Sequence, residues 1–127
     1  MPQTEAMREW RRADYRKNPA PYKRRAVEYQ KRYPEKAQRY RRATKLRRYG
    51  LEIEDYDILL ESQNGLCAIC GKPPTGGIKG KSLHVDHDHK TGQVRGLLHQ
   101  KCNNGLGAYD DNPELLIAAA NYLKQRT

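Results

Sequence analysis

Leu83-His84-Val85-Asp86-His87-Asp88-His89-Lys90-Thr91-Gly92-Gln93-Val94-Arg95-Gly96-Leu97-Leu98-His99-Gln100-Lys101-Cys102-Asn103 holds two short strands, a turn and the start of a helix in twenty-one residues. Leu83 to His87 alternates with the two-residue period of a strand, Thr91-Gly92 supplies the turn, and Val94 to Leu98 reads as the antiparallel partner. A helix is expected around Cys102. Three of the chain's four histidines and two carboxylates fall between Leu83 and His89, a density abnormal for a strand. Such a cluster suits a polar hairpin edge, a second structural metal site or a reaction centre. An ideal strand would point Asp86 and His87 to opposite faces, so joint action of the two requires the strand to end or twist there.

Outward from the hairpin lie two ligand pairs. Cys67-x2-Cys70 precedes it and His99-x2-Cys102 closes it, with 28 residues between the pairs. A tight turn aims both side chains of a pair at one point, and Cys3His is a donor set that tetrahedral structural Zn2+ accepts. Buried free thiols beside an ordinary histidine are the plain alternative. A thioredoxin-like redox pair at Cys67 and Cys70 lacks the expected βαβ surroundings and leaves Cys102 unexplained. Three cysteines cannot all pair within one chain, which points away from a secreted disulfide framework and toward metal ligation in a reducing compartment. Residues 51–127 contain few large apolar side chains, so a metal staple is energetically expected.

Around this centre, Tyr56, Ile58, Leu59 and Leu60 form an apolar cluster in a short helix closed by Asn64-Gly65, and Lys72 to Lys81 reads as a Gly/Pro/Lys loop. A last helix is expected from about Pro113 to Leu123, with Asn112 as its N-cap and Leu115, Leu116, Ala119 and Leu123 on its inner face.

The other half of the chain has a different texture. Residues 1–50 carry seventeen basic and five acidic side chains, and residues 51–127 carry eight and ten, so the net charge of +10 originates in the first part. Single aromatics interrupt the basic clusters at Trp10, Tyr15, Tyr22, Tyr29, Tyr33, Tyr40 and Tyr49, with almost no Leu, Ile or Val. Asn18-Pro19, Pro21 and Tyr33-Pro34 should each stop or restart a helix, giving two or three short helices. Asp14-Tyr15-Arg16-Lys17 before Asn18-Pro19 is echoed by Glu28-Tyr29-Gln30-Lys31 before Pro34. So few apolar residues leave little to offset ordering entropy, so partial disorder in the free chain is one expectation. A block this basic implies a polyanionic partner, because each neutralised phosphate releases condensed counterions. The expected phosphate contacts are Arg11, Arg12, Arg16, Lys17, Lys23, Arg24, Arg25, Arg41, Arg42, Arg47 and Arg48, joined on the hairpin by Lys90 and Arg95 and near Cys102 by Lys101. No apolar run approaches the roughly 20 residues that span a bilayer, and the N-terminus lacks a signal peptide's apolar segment, so a cytoplasmic protein with no membrane partner is expected.

LHVDHDHKTGQVRGLLHQKCNNGLGAYDDNPE, preceded by QNGLCAIC, resembles the recombination endonuclease VII branch of the HNH nucleases. The resemblance runs from about Tyr49 to Glu114 and leaves the first fifty residues outside. It implies an α+β fold with a small zinc-stabilised ββα-metal (HNH, or His-Me finger) domain over 49–127, and the basic, helix-forming composition of 1–48 separately predicts a preceding α-helical DNA-binding extension. The resemblance also implies that Asp86 and Asn103 hold a catalytic divalent metal, Mg2+ or Mn2+, that His87 is the general base, and that cleavage leaves a 5′-phosphate and a 3′-hydroxyl. Histidine ordinarily titrates near pH 6.5 and an oxygen-held Mg2+ can contact phosphate and leaving group, which is what phosphodiester hydrolysis needs. His89 is placed on the scissile phosphate and His84 as an orienting neighbour. Where the family pattern has cysteine this chain has His99, which should preserve tetrahedral zinc.

The expected activity is therefore metal-dependent endonuclease cleavage of double-stranded or branched DNA, of a phage-type nicking, homing or junction-resolving kind, in the host cytoplasm if the chain is phage-encoded, as a monomer or dimer. The long C-terminal region of the classical junction-resolving members has no counterpart before Thr127. A non-catalytic zinc-finger nucleic-acid-binding protein would account for the basic segment and the zinc but not for Asp86, His87 and Asn103 together. An RNA-binding zinc protein is a third reading.

Overall fold

The computed structural model describes residues 3–75 and 82–126, so the part of the Lys72–Lys81 loop from 76 to 81 lies outside the described residues. The chain divides into two compact units, Met1–Thr44 and Lys45–Thr127.

The first unit contains α1 (Glu5–Lys17), α2 (Ala20–Arg32) and most of α3 (Pro34–Arg47). Asn18 and Tyr33, each followed by proline, end α1 and α2 in nearly the same conformation: φ −142°, ψ 81° and φ −134°, ψ 65°. Proline's ring excludes the helical region for the residue before it, so the backbone must leave the helix there. The amides still donate back, Asn18 to the Asp14 carbonyl at 2.9 Å and Tyr33 to the Tyr29 carbonyl at 2.8 Å. This shared ending is the structural content of the sequence echo. Pro21 sits in the first turn of α2, where a missing amide costs nothing. Neither α1 nor α2 has a buried residue, whereas Ala37 on α3 is buried.

The second unit begins with the last residues of α3. Gly50, at φ +71°, lets the Gly50 amide reach the Arg47 carbonyl and the Leu51 amide reach the Leu46 carbonyl, a left-handed helix stop that other residues adopt at a cost. Leu46 is buried as a result, with Tyr49 and Leu51 packed against the same core. Helix α4 (Ile53–Ser62) starts where the Asp55 carboxylate accepts from the Glu52 amide at 2.8 Å and ends at Asn64 and Gly65, both at positive φ. Tyr56 is buried, and its hydroxyl donates to the Leu83 carbonyl at 2.8 Å, tying α4 to the entry of the first strand. Leu59 and Leu60 share its face. Ile58, expected in the same cluster, is 66% exposed, because two residues is about 200° of helical turn.

Strands β1 (His84–His87) and β2 (Val94–Leu98) pair antiparallel, with His84 opposite Leu98, Val85 opposite Leu97 and Asp86 opposite Gly96. The register then slips, and His87 faces Val94. Leu97 is fully buried between Leu83, Val85, Leu98 and the α4 side chains, contributing about 1.5–3 kcal/mol by transfer alone. The outer edge of β2 is closed by a side chain. The Gln63 Oε1 accepts from the Leu97 amide at 2.9 Å, and its Nε2 donates to the Leu97 and Leu66 carbonyls at 3.0 and 2.8 Å. A Cβ at Gly96 would lie 3.1 Å from that Oε1, so the glycine keeps the approach open.

Helix α5 (Gln100–Ala108) packs against β1, and α6 (Pro113–Arg126) follows, with the Asn112 Oδ1 accepting from the Glu114 and Leu115 amides at 3.0 and 3.4 Å. The expected inner face of α6 is covered only in part. Leu116 and Ala119 are half-buried, whereas Leu115 is 44% and Leu123 62% exposed. Helical spacing identifies a face, not how far the neighbouring surface extends along it. The unit is thus α+β, with the helices α4, α5 and α6 and the end of α3 accompanying one two-stranded sheet. Among the described residues no helix is long and apolar enough to cross a membrane.

Candidate metal centre and hairpin site

The donor atoms of Cys67, Cys70, His99 and Cys102 all lie within 4.8 Å of one another. Cys67 opens a knuckle in which its amide donates to the Lys72 carbonyl at 2.9 Å and the Gly71 amide returns to the Cys67 carbonyl at 3.0 Å, with Gly71 at φ +64°. His99 precedes the first turn of α5 at an extended ψ of 148°, which swings its ring back to the knuckle while Cys102 reaches the same point from inside the helix. His99 Nδ1 is 3.1 Å from Cys70 Sγ, and its Nε2 is 2.9 Å from the Pro73 carbonyl oxygen. Nε2 therefore carries the proton and donates it to that carbonyl, which leaves the Nδ1 lone pair for a metal and fixes the ring. The histidine of the quartet thus has an outer hydrogen-bond partner of its own.

Protonation within the quartet is uneven. Burial pushes the Cys67 thiol up, but the amides of Cys70, His99 and Ile69 outweigh it and bring the group down to about 6. Burial, with the neighbouring Cys67 and Cys70, pushes Cys102 up to about 11. The hydrogen bond with Cys70 holds His99 above the ordinary histidine value. A soft divalent ion would displace these protons, and the four donors, their mutual distances and the seated His99 tautomer fit structural zinc.

From this centre the geometry runs one residue further. The Asn103 amide donates to the His99 carbonyl at 2.9 Å, closing the first turn of α5, so the position of Asn103 follows directly from that of Cys102. Asn103 is half-buried on a helix that packs against β1, the strand carrying Asp86 and His87. The register slip between Asp86 and His87 makes Arg95 the extra residue on β2. A bulge bends the strand that carries it, here β2, while β1 itself ends at His87.

Asp86 is 5% exposed, the one buried charged side chain among the described residues. Both of its oxygens are engaged: Arg95 Nε donates to Oδ2 at 2.8 Å and Arg95 Nη2 to Oδ1 at 2.9 Å. The same guanidinium reaches Asp111 at 3.2 Å, and its pKa is raised by the Asp86 bond first. Arg95, expected at a phosphate, is therefore committed to two carboxylates in this state. The His87 ring lies between two others, with centroids 5.1 Å from Tyr49 and 4.8 Å from His89. His84 is half-buried, and burial, with Lys45 nearby, lowers its pKa, so it is neutral at pH 7. His89 and Lys90 are exposed beside the turn. Asp88 shapes that turn, its Oδ1 accepting from the Lys90 and Thr91 amides at 2.7 and 2.9 Å.

Arg11, Arg12, Arg16 and Lys17 lie on α1, Lys23, Arg24 and Arg25 on α2, Arg41, Arg42 and Arg47 on α3 and Arg48 just beyond it, all exposed, and Lys101 is exposed on α5. Arg47 is paired with Glu52 at 3.7 Å. Sequence reasoning missed Tyr49 beside His87, Asp111 beside Arg95 and the Gln63 brace. None carries a spacing signal, since Tyr49, Asp111 and Gln63 each lie at least sixteen residues from the His87, Arg95 or Leu97 they meet.

Comparison with known proteins finds relatives among phage proteins. The gene 59 proteins of Mycobacterium phages D29 and L5 are 47% identical over 73 residues and 45% identical over 71 residues, stretches that cover 57% and 55% of this chain. They cover 42% of each relative, so the chain spans less than half the length of the curated proteins it matches. The profile of the recombination endonuclease VII family matches residues 42–125, a span that takes in both ligand pairs, the hairpin and α5 and reaches beyond Tyr49–Glu114 on either side. By that match the chain belongs to the recombination endonuclease VII family.

Proposed function

We propose that this chain is a metal-dependent DNA endonuclease of the HNH type, its second unit a ββα-metal domain and its first a phosphate-gripping extension. The observation that carries the reading is the juxtaposition on β1 and α5: Asp86 and His87 at a register slip, beside a helix whose Asn103 is set by the adjoining Cys3His quartet.

In this reading His87 takes a proton from the attacking water, with the Tyr49 and His89 rings holding its plane. His89, exposed at the mouth of the hairpin, contacts the scissile phosphate. Asp86 and Asn103 offer an all-oxygen donor set suited to Mg2+ or Mn2+. A divalent cation there would offset charge on the phosphate and on the leaving 3′ oxygen, giving a 5′-phosphate and a 3′-hydroxyl. Arg95 neutralises the buried Asp86 carboxylate until a cation shares it. The exposed arginines and lysines of α1 to α3, with Lys90, hold the backbone. Matches to phage proteins support action in the host cell cytoplasm on phage or host DNA, nicked, double-stranded or branched.

The Arg95 fork also favours a second reading, a zinc-stabilised nucleic-acid binder in which the Asp86–Arg95 pair is purely structural. Incubation of the protein with supercoiled plasmid and Mg2+ separates them. Nicking is expected for the natural chain, and His87→Ala and Asn103→Ala should each lose about 100-fold or more in rate while retaining one zinc. Plasmid left intact by the natural chain would leave only the binding reading, and cleavage at the natural rate by either variant would overturn the mechanism that assigns its role to that residue.

A further inference from the structure

Helices α1 and α2 lie outside the residues that match the family, and they enclose a cleft with an unusual lining. The Tyr22 hydroxyl donates to the Asp14 carboxylate, and the Tyr22 ring meets Tyr15 edge-on, centroids 5.6 Å apart and planes at 73°. These contacts hold α2 against α1 at a half-buried floor. One turn before Asp14 stands Trp10, 65% exposed, and Arg11, Arg12, Arg16 and Arg25 line the rest.

An indole left open to water among guanidinium groups suits one ligand chemistry well, a planar ring attached to phosphate. Bases stack on aromatic faces whatever their identity, and arginines take the phosphates on either side. Asp14 at the floor repels phosphate, so the anion belongs at the arginine rim and the ring inside. A regular duplex cannot use such a cleft, because its base faces are already stacked and only its phosphates are presented. An acidic peptide would satisfy the arginines but leave the indole uncovered.

We infer that the α1–α2 cleft binds an unpaired nucleotide of a DNA strand, its base stacked on Trp10 and its flanking phosphates on Arg11, Arg12, Arg16 and Arg25. The inference rests on the nucleic-acid-binding reading above and deepens it. It makes the first unit a sensor of unstacked DNA, such as a single strand, branch or gap, and not a passive cationic arm.

The chain has one tryptophan, so intrinsic fluorescence reports on Trp10 alone. The full-length protein, without added Mg2+, is titrated with a twelve-residue oligothymidylate and with a blunt duplex of the same length, while anisotropy of a dye on the DNA follows binding independently. The single strand is expected to quench Trp10 emission and the duplex to leave most of it. Trp10→Leu should weaken single-strand binding about fivefold or more with duplex binding within about twofold, and Trp10→Phe should retain the single-strand affinity. Single-strand binding without quenching, equal quenching by duplex, or unchanged affinity in Trp10→Leu would each overturn the cleft while leaving phosphate binding in place. Anisotropy that moves with neither DNA would overturn the nucleic-acid reading itself.

Discussion

Asp86 and Arg95 form the most consequential pair of side chains in the second unit. A carboxylate 5% exposed needs a compensating charge, and Arg95 provides it through two bonds of 2.8 and 2.9 Å while resting a third on Asp111. Breaking a buried pair by removing one partner costs about 3–5 kcal/mol, and because the Arg95 side chain is 35% exposed the lower end is expected for Arg95→Met. If Asp86 is a cation ligand, as proposed, the loss should be partly recovered by millimolar Mg2+, which replaces the missing charge. Thermal melts of the variant with and without Mg2+ measure this. A deficit that added Mg2+ leaves unchanged would mean that Asp86 serves the salt bridge alone. The pairing was not legible in the sequence, where eight intervening residues and a register slip hide it.

At the level of elements, the hairpin owes its shape to a turn held by one carboxylate. Asp88 accepts from the Lys90 and Thr91 amides, its own amide donates to the Gln93 carbonyl at 2.8 Å, and Gly92 at φ +74° completes the reversal. The Thr91 amide first, then that of Lys90, lower the Asp88 pKa below the ordinary carboxylate value. A lowered folded-state pKa means that the stabilisation is present above the unfolded value, near 3.9, and is lost as pH falls through the folded one. Hydrogen exchange at the Lys90 and Thr91 amides should therefore accelerate relative to intrinsic rates as pH drops below about 4. In Asp88→Asn, which keeps an acceptor but cannot titrate, that acid loosening should vanish. Its persistence would assign it to another group. Both strands were readable from alternation and turn chemistry, with β2 spanning Val94–Leu98 as expected. The Gln63 amide that closes the β2 edge was not, because nothing in a local pattern marks a glutamine thirty-four residues away as its partner.

For the molecule as a whole, the described residues of the second unit form a buried core of seven side chains, Cys67 among them. Small cores of this kind depend on a staple, and the Cys3His quartet joins the knuckle after α4 to the start of α5, across the hairpin. One zinc per chain is expected by elemental analysis, and Cys102→Ser should lower the melting temperature by well over 10 °C and erase cooperative unfolding of residues 45–127. Protein that melts identically after zinc extraction would show that the apolar core suffices. Among the described residues the first unit buries only Ala37, as a chain with few large apolar side chains must.

The sequence by itself determined the ligand quartet, the two strands, the cap of α6 and the concentration of positive charge in α1 to α3. All of these are written in short-range spacing, turn residues or composition, where the physics is local. Tertiary structure alone decided that Asp86 meets Arg95, that His87 sits between Tyr49 and His89, that Ile58 faces water, and that Tyr22 folds onto Asp14 to shape a cleft beside Trp10. Those outcomes depend on which surfaces are brought together by packing and strand register, and a side chain's type and spacing do not encode its neighbour across a fold.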